Sequence, residues 1–259
     1  MRKIAANISL LFRELPLLER FQAARAAGFD GVELQFPYDE SARELARVAE
    51  RAAAPVVLIN APISAQYPTG LAGRPEMREF YRSALPQMVE YADALKVRFV
   101  HVMAGHIFPT DERERCWNMY AENLRRAADA LEPYGIGVLV EPLNPLDVPH
   151  YLLGTLTAGV SVLDRCQHRV GLQFDAYHVA RMGLDPAAEL QTLMPVVRHV
   201  QFADAPGRHE PGTGSIGFES FLQVLNSGGY EGWMAAEYVP ATDTTAGLGW
   251  MAAWRSAGS

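Results

Sequence analysis

Cysteine is scarce in this 259-residue chain: only Cys116 and Cys166 occur, in no metal-like spacing. That argues against a disulfide-built scaffold and points to a reducing, cytoplasmic setting. Long hydrophobic runs are missing too. None approaches the ~18–20 apolar residues of a membrane span, so no membrane partner is expected. The opening Met1-Arg2-Lys3-Ile4-Ala5-Ala6-Asn7 enters a strand pattern at once, without the long apolar region of a signal peptide. Positive charge is in deficit: 23 Lys and Arg against 30 Asp and Glu give a formal charge of -7. A nucleic-acid backbone is therefore not expected as the main partner. Also absent are a Gly-x-Gly-x-x-Gly turn after the first strand and any Pro/Ser linker or charge block that would divide the chain.

What remains is an ordinary globular balance, 49% hydrophobic and 20% charged, able to bury a full core. Strand-like apolar runs alternate with amphipathic helical segments from end to end. The predicted strands are Lys3–Ile8, Gly31–Phe36, Val56–Ala61, Arg98–Met103, Val138–Glu141, Val170–Asp175, Arg198–Ala203 and Trp233–Glu237. Helices are predicted over Leu17–Ala27, Ser41–Ala53, Pro75–Leu95, Asp111–Tyr134, Thr157–Cys166, Pro186–Met194 and Phe218–Asn226, with Trp250 and Trp254 on a last one. Ser41 is placed as a cap, and Gly28 and Gly135 as stops. Eight units of roughly 32 residues match the βα repeat, and the length suits one eight-fold barrel. The expectation is a (β/α)8 TIM barrel spanning 1–259 as one domain. An open doubly wound sheet is second, disfavoured by the missing glycine turn.

Four of these runs deliver an oxygen-bearing side chain where the run ends: Glu141, Asp175, Gln201 and Glu237. Barrel enzymes place their chemistry at the C-terminal ends of the strands. Three carboxylates and an amide gathered there would form a hard-oxygen cage suited to Mg²⁺ or Mn²⁺. Each residue has a blander reading. Glu141 precedes Pro142 and could be a solvated loop residue, although its apolar neighbours make an unpaired charge costly. Asp175 could simply cap a following helix. Gln201 has no cheap structural explanation inside His-Val-Gln-Phe, and Ala235-Ala236 leave room beside Glu237. Occurrence in four consecutive strands favours the site.

The period of two extends this. If Asp175 and Gln201 point into the barrel, so do Gln173 and His199. Those two could orient the ligands from beneath, or could simply hydrogen-bond to each other.

Several stretches resemble the hydroxypyruvate isomerase family. They include Asn7-Ile8-Ser9, Gly28-Phe29-Asp30-Gly31-Val32-Glu33, Phe36-Pro37-Tyr38-Asp39 and Glu141-Pro142-Leu143-Asn144. Further along come Phe174-Asp175-Ala176-Tyr177-His178, Gln201-Phe202-Ala203-Asp204, Glu210-Pro211-Gly212-Thr213-Gly214 and Glu237-Tyr238. That family belongs to the xylose-isomerase-like barrels, and the resemblance covers nearly the whole chain in order. It implies a divalent metal at Glu141, Asp175, Gln201 and Glu237, with Glu141 and Glu237 carrying proton transfer. The chain departs from the pattern at Asn60-Ala61-Pro62-Ile63-Ser64-Ala65-Gln66, which lacks the family's Gly-Asp pair, and at Ser215, where an acid is commoner. Both changes bear on the substrate pocket and neither touches the cage.

The expected reaction moves a carbonyl between adjacent carbons, as between hydroxypyruvate and tartronate semialdehyde or in a closely related 2-oxo-tetronate. It removes a proton alpha to the carbonyl and returns it one carbon over, through an enediolate. The expected partner is thus a small hydroxy-carbonyl acid. Around it, His178 in the loop above the barrel, Arg208 in the loop after the seventh strand, and His101 at the end of the fourth are candidates for substrate binding. Arg208 would hold the carboxylate. Each could instead be a packed or solvated residue. Gly212-Thr213-Gly214 reads as a tight loop rather than a phosphate cradle, since no Lys follows. Trp250 and Trp254 are assigned to packing or to an interface between copies, which leaves a homo-oligomer open. A ketose 3-epimerase would use the same barrel and glutamates, but with His in place of Gln201. A barrel endonuclease would need more His ligands, zinc and a basic face. A non-catalytic binding barrel is allowed by fold alone.

Overall fold

The computed structural model of the chain describes residues 2–108 and 111–256. Eight strands form its centre: β1 (Lys3–Asn7), β2 (Gly31–Leu34), β3 (Val56–Asn60), β4 (Phe99–His101), β5 (Gly137–Val140), β6 (Gly171–Asp175), β7 (Val197–Phe202) and β8 (Trp233–Ala236). Each pairs in parallel with the next, and β8 pairs with β1, so the sheet closes. Closure rules out the open doubly wound alternative. Short strands buried on both sides need no alternation of polar and apolar residues, which is why Val-Val-Leu-Ile in β3 and Gly-Val-Leu-Val in β5 read as continuous apolar runs.

The helices between them are α1 (Leu17–Ala26), α2 (Ala42–Ala52), α3 (Arg78–Ala94), α4 (Arg113–Leu131), α5 (Leu156–Arg165), α6 (Ala176–Arg181), α7 (Pro186–Leu193), α8 (Phe218–Ser227) and α9 (Gly249–Ser256). Their ends follow local chemistry. Ser41 caps α2 by accepting from the Glu44 N–H, Thr155 caps α5 through the Ala158 N–H, and Asp185 precedes Pro186 at the start of α7. The predicted Pro75–Leu95 helix begins with a separate 3-10 turn, Pro75–Met77, and then carries Pro86 inside α3.

One helix is missing from the predicted set, although Asp175 is considered there as a cap for it. α6 starts directly after β6, so His178 lies on a short helix and not in a loop. The cause is Asp175, whose Oδ1 accepts the Tyr177 N–H at 2.9 Å and so turns the strand end into a helix start.

The last helix seals the barrel wall near β7. Trp254 packs against Phe202 at a tilt with ring centroids 4.6 Å apart, and Trp250 lies 4.9 Å from Trp254. Both indoles are buried within the chain, so their role is packing. Among the described residues no helix is long and apolar enough to cross a membrane.

Candidate active site

The strand ends converge on one cavity of about 160 Å³, lined in part by Glu141, Gln201 and Glu237. Glu141 follows β5, Asp175 closes β6, Gln201 sits in β7 and Glu237 follows β8. Register pairs Asp175 with Gln201, and Gln201 with Ala235, two residues before Glu237. All four are buried. The solvated-loop reading of Glu141 therefore fails.

The three carboxylates share one arrangement. Each commits one oxygen to a protein donor and leaves the other without one. Glu141 Oε2 accepts from Gln173 Nε2 at 2.9 Å, and its Oε1 has no partner. Asp175 Oδ1 caps α6, and its Oδ2 makes no hydrogen bond. Glu237 Oε1 accepts from Gln35 Nε2 at 2.7 Å, and its Oε2 has no partner. Capping and site membership are thus compatible in Asp175, one oxygen serving each. Buried acceptors left open cost free energy unless something binds them. Open carboxylate oxygens beside an amide suit a hard divalent cation, which Glu141, Asp175, Gln201 and Glu237 could hold, Glu237 standing outside the close group that includes Glu141 and Asp175.

The electrostatics show the same tension. Burial raises the Glu141 carboxyl well above the usual range, and the charges of Glu237 and Asp175 add to that. Glu237 is lifted to about 8, chiefly by burial, with Arg208 opposing the rise and Asp175 and Glu33 contributing to it. Asp175 is pushed up to about 6 by burial, against the pull of Arg208. Buried acids with raised pKa values of this kind cluster at functional sites.

His178 also approaches the cage, and its ring, Glu141 and Asp175 offer atoms within 4.8 Å of one another. Its hydrogen bonds argue against a role as ligand. Asn144 Oδ1 accepts the Leu146 and Asp147 N–H groups, which fixes that amide. Asn144 then directs its backbone N–H (3.2 Å) and its Nδ2 (2.8 Å) at His178 Nδ1. With Nδ1 accepting, the proton of the neutral ring is on Nε2, 3.8 Å from Asp175 Oδ2. Burial, aided by Arg208, holds the ring's pKa down to about 3 and keeps it neutral. His178 thus offers the cavity a donor, suited to a substrate oxygen.

Arg208 reaches in from the loop after β7. Its Nη2 lies 3.4 Å from Glu237 Oε1 and 3.8 Å from Asp175 Oδ2, and the guanidinium stacks 5.1 Å from the Tyr177 ring. The loop that aims it is built around Asp204. Asp204 Oδ1 accepts the N–H groups of Ala205 and Ile216, and Oδ2 those of Gly212 and Gly214. The Gly212 and Gly214 amides therefore close on the chain's own carboxylate, and the phosphate-cradle appearance comes from that. His101 ends β4 beside Asn60 in register, lines the cavity, and keeps a buried Nε2 without a partner. Burial takes its pKa down to about 3 as well.

Gln173 and His199 do face inward, but not toward each other. Gln173 bonds to Glu141 and Gln201, while His199 Nε2 contacts Glu33 Oε1. Glu33 and Gln35 were not singled out from sequence. The signal was present: Glu33-Leu34-Gln35 repeats the polar period of two already used on β6 and β7.

Comparison with known proteins identifies the family. Residues 21–254 match the family described as the xylose isomerase-like TIM barrel. The chain is 36% identical over 254 residues to the 2-oxo-tetronate isomerase of Cupriavidus necator, covering 97% of this chain and 98% of that protein. It is 35% identical over 258 residues to the hydroxypyruvate isomerase of Escherichia coli, covering 98% and 100%. A crystal structure of a Brucella melitensis protein described as an AP endonuclease of family 2 superposes with a TM-score of 0.93 at 38% identity, covering 98% and 99%.

Proposed function

Because the chain belongs to the hydroxypyruvate isomerase family of xylose isomerase-like TIM barrels, we propose that it interconverts small hydroxy-keto acids, three-carbon hydroxypyruvate or a four-carbon 2-oxo-tetronate. The observation that carries this reading is the set of three buried carboxylates, each with one oxygen committed and one open, of which Glu141 and Glu237 line a single small cavity and Asp175 lies close beside Glu141. Pockets for drug-sized ligands run to roughly 300–1,000 Å³. A space of about 160 Å³ suits an acyclic acid of a few carbons better than a nucleic-acid strand.

The reaction asks for a proton to leave one carbon and another to arrive at its neighbour, while the hydroxyl proton moves to the former carbonyl oxygen. Mg²⁺ or Mn²⁺ held by Glu141, Asp175, Gln201 and Glu237 would stabilise negative charge developing on the substrate's two oxygens. Glu141 and Glu237 follow different strands at the mouth; with the open oxygen of each on the cation, the oxygen bonded to Gln173 or Gln35 would keep a second lone pair for the proton. One takes the alpha proton to give the enediolate, and the other returns a proton to the adjacent carbon. Gln173 and Gln35, by gripping one oxygen of each, hold the two carboxylates in place. His178 Nε2–H donates to a substrate oxygen. Arg208 takes the carboxylate, which sets an acid apart from a neutral sugar. Burial of the site excludes water that would protonate the enediolate out of turn.

Ketose epimerases are structural neighbours at a TM-score of 0.78 and 17% identity, a likeness of fold alone. A substrate panel of hydroxypyruvate, 2-oxo-tetronate and ketohexoses, with and without Mn²⁺, tests the reading. Turnover of either acid, dependent on the cation, is expected. Efficient turnover of ketohexoses with none of the acids would replace it with the epimerase reading.

A further inference from the structure

Beneath the cage, Glu33 is fully buried in the barrel interior. Its Oε2 accepts from Gln201 Nε2 at 2.8 Å and from Asn7 Nδ2 at 3.2 Å, and its Oε1 contacts His199 Nε2. Every side-chain atom hydrogen-bonded to it is a nitrogen. With the Gln201 nitrogen spent on Glu33, the Gln201 oxygen faces the other way and accepts from Gln173 Nε2 at 2.6 Å. The same Gln173 nitrogen donates its second hydrogen to Glu141 Oε2. The hydrogen bonds therefore run in one direction, out from Gln173 and ending on two carboxylates. Turning the Gln201 amide over would set its oxygen against the Glu33 carboxylate and its NH₂ against the NH₂ of Gln173. Both contacts would be repulsive.

We propose that Glu33 is a positioning residue that fixes the polarity of this amide chain, so that Gln201 presents its oxygen and not its nitrogen to the cage. An amide has one oxygen and one NH₂ of similar shape, and only the oxygen can hold a cation. A cage with glutamine as its fourth member therefore needs something to choose the orientation, and an acceptor-only group behind that glutamine does so. Glu33 does not line the cavity; it acts through Gln201. This role rests on the cation-cage reading of the site.

The test is Mn²⁺ affinity of the full chain, measured by calorimetry on wild type, Glu33→Gln, Glu33→Asp, Gln201→Glu and the double variant Glu33→Gln/Gln201→Glu, each checked for folding by circular dichroism. Residues behind metal ligands typically govern affinity by about 10–100-fold. Glu33→Gln should weaken Mn²⁺ binding by about tenfold or more, although it preserves shape. Glu33→Asp, shorter but still acceptor-only, should bind Mn²⁺ more tightly than Glu33→Gln. A packing role predicts the reverse order. The double variant should recover affinity relative to Glu33→Gln, because a carboxylate at position 201 offers an oxygen either way round and accepts from an amide at position 33. Gln201→Glu alone, with two acids in contact, should not match it. Equal binding by Glu33→Gln and wild type, or weaker binding by Glu33→Asp than by Glu33→Gln, overturns the proposal. Should Glu33→Gln not fold, a double variant no tighter than Gln201→Glu alone overturns it. A wild-type chain that binds no Mn²⁺ overturns the cage reading itself, and this role with it.

Discussion

Gln35 Nε2 donates to Glu237 Oε1 over 2.7 Å, linking the end of β2 to the end of β8 and leaving Glu237 Oε2 open to the cavity. Gln173 does the same for Glu141. Both glutamates are thereby held in place by amides that cannot themselves transfer protons at neutral pH, which fits a pair that must act in sequence within one turnover.

From this pairing, Glu141→Gln and Glu237→Gln should each lower kcat for the acid substrates by ~10²–10⁴. Neither change removes much volume, so circular dichroism should be unaltered. Near wild-type turnover by either variant would contradict the two-glutamate reading.

Arg208→Ala should act mainly on binding. A charge-assisted contact to a carboxylate is worth roughly 1.5–3 kcal/mol, so KM should rise by about tenfold or more. Steady-state kinetics with the preferred acid decide it; an unchanged KM would place the carboxylate elsewhere.

Asp204→Asn tests the loop that aims Arg208. Either orientation of the new amide puts an NH₂ against two backbone N–H groups, since both oxygens of Asp204 are accepting in pairs. Leaving buried donors unpaired costs about 1–3 kcal/mol, and KM should rise together with the fall in Tm. A loss of Tm without any change in KM would separate the loop from the site.

The raised carboxyls give the metal-free protein a definite pH signature. Glu237 lies at about 8 in the fold against an ordinary value of 4.5, so the folded state keeps a proton that the unfolded chain has released. That stabilisation is full below about pH 4.5 and is lost as pH rises toward 8. His101 and His178, held neutral, oppose it below their ordinary 6.5, where the unfolded chain gains protons. Between about pH 6.5 and 8 the histidines no longer contribute, and the Tm of protein stripped with EDTA should fall as pH rises. Glu237→Gln should flatten that slope, and saturating Mn²⁺ should raise Tm throughout. A Tm that climbs across this window would be the wrong sign.

Much of the barrel could be read from the chain because parallel strands buried on both faces leave uninterrupted apolar runs, and β3 and β5 stand out on that ground alone. Glu141, Asp175, Gln201 and Glu237 were legible because each ends or closely follows such a run. Glu33 and Gln35 were not, although β2 carries the same alternation, because the acid is enclosed within the strand and not displayed at its end. α6 was hidden by its brevity, and Asp175 served as its cap while also facing the cage. The part played by Asp204 depends on loop closure between residues up to twelve positions apart, which no periodicity encodes. Asn144, which sets the tautomer of His178 from 34 positions away, was out of reach for the same reason.

The central claim is proton transfer by two carboxylates, and the fate of one hydrogen tests it most directly. Isomerisation of hydroxypyruvate or 2-oxo-tetronate by the Mn²⁺-loaded protein in D₂O, followed by NMR, should give product carrying deuterium on the carbon that was the carbonyl. The returned proton comes from a glutamate that exchanges with solvent. Product formed at full rate with no carbon-bound deuterium would mean that the hydrogen passes directly between the two carbons, and would contradict the account.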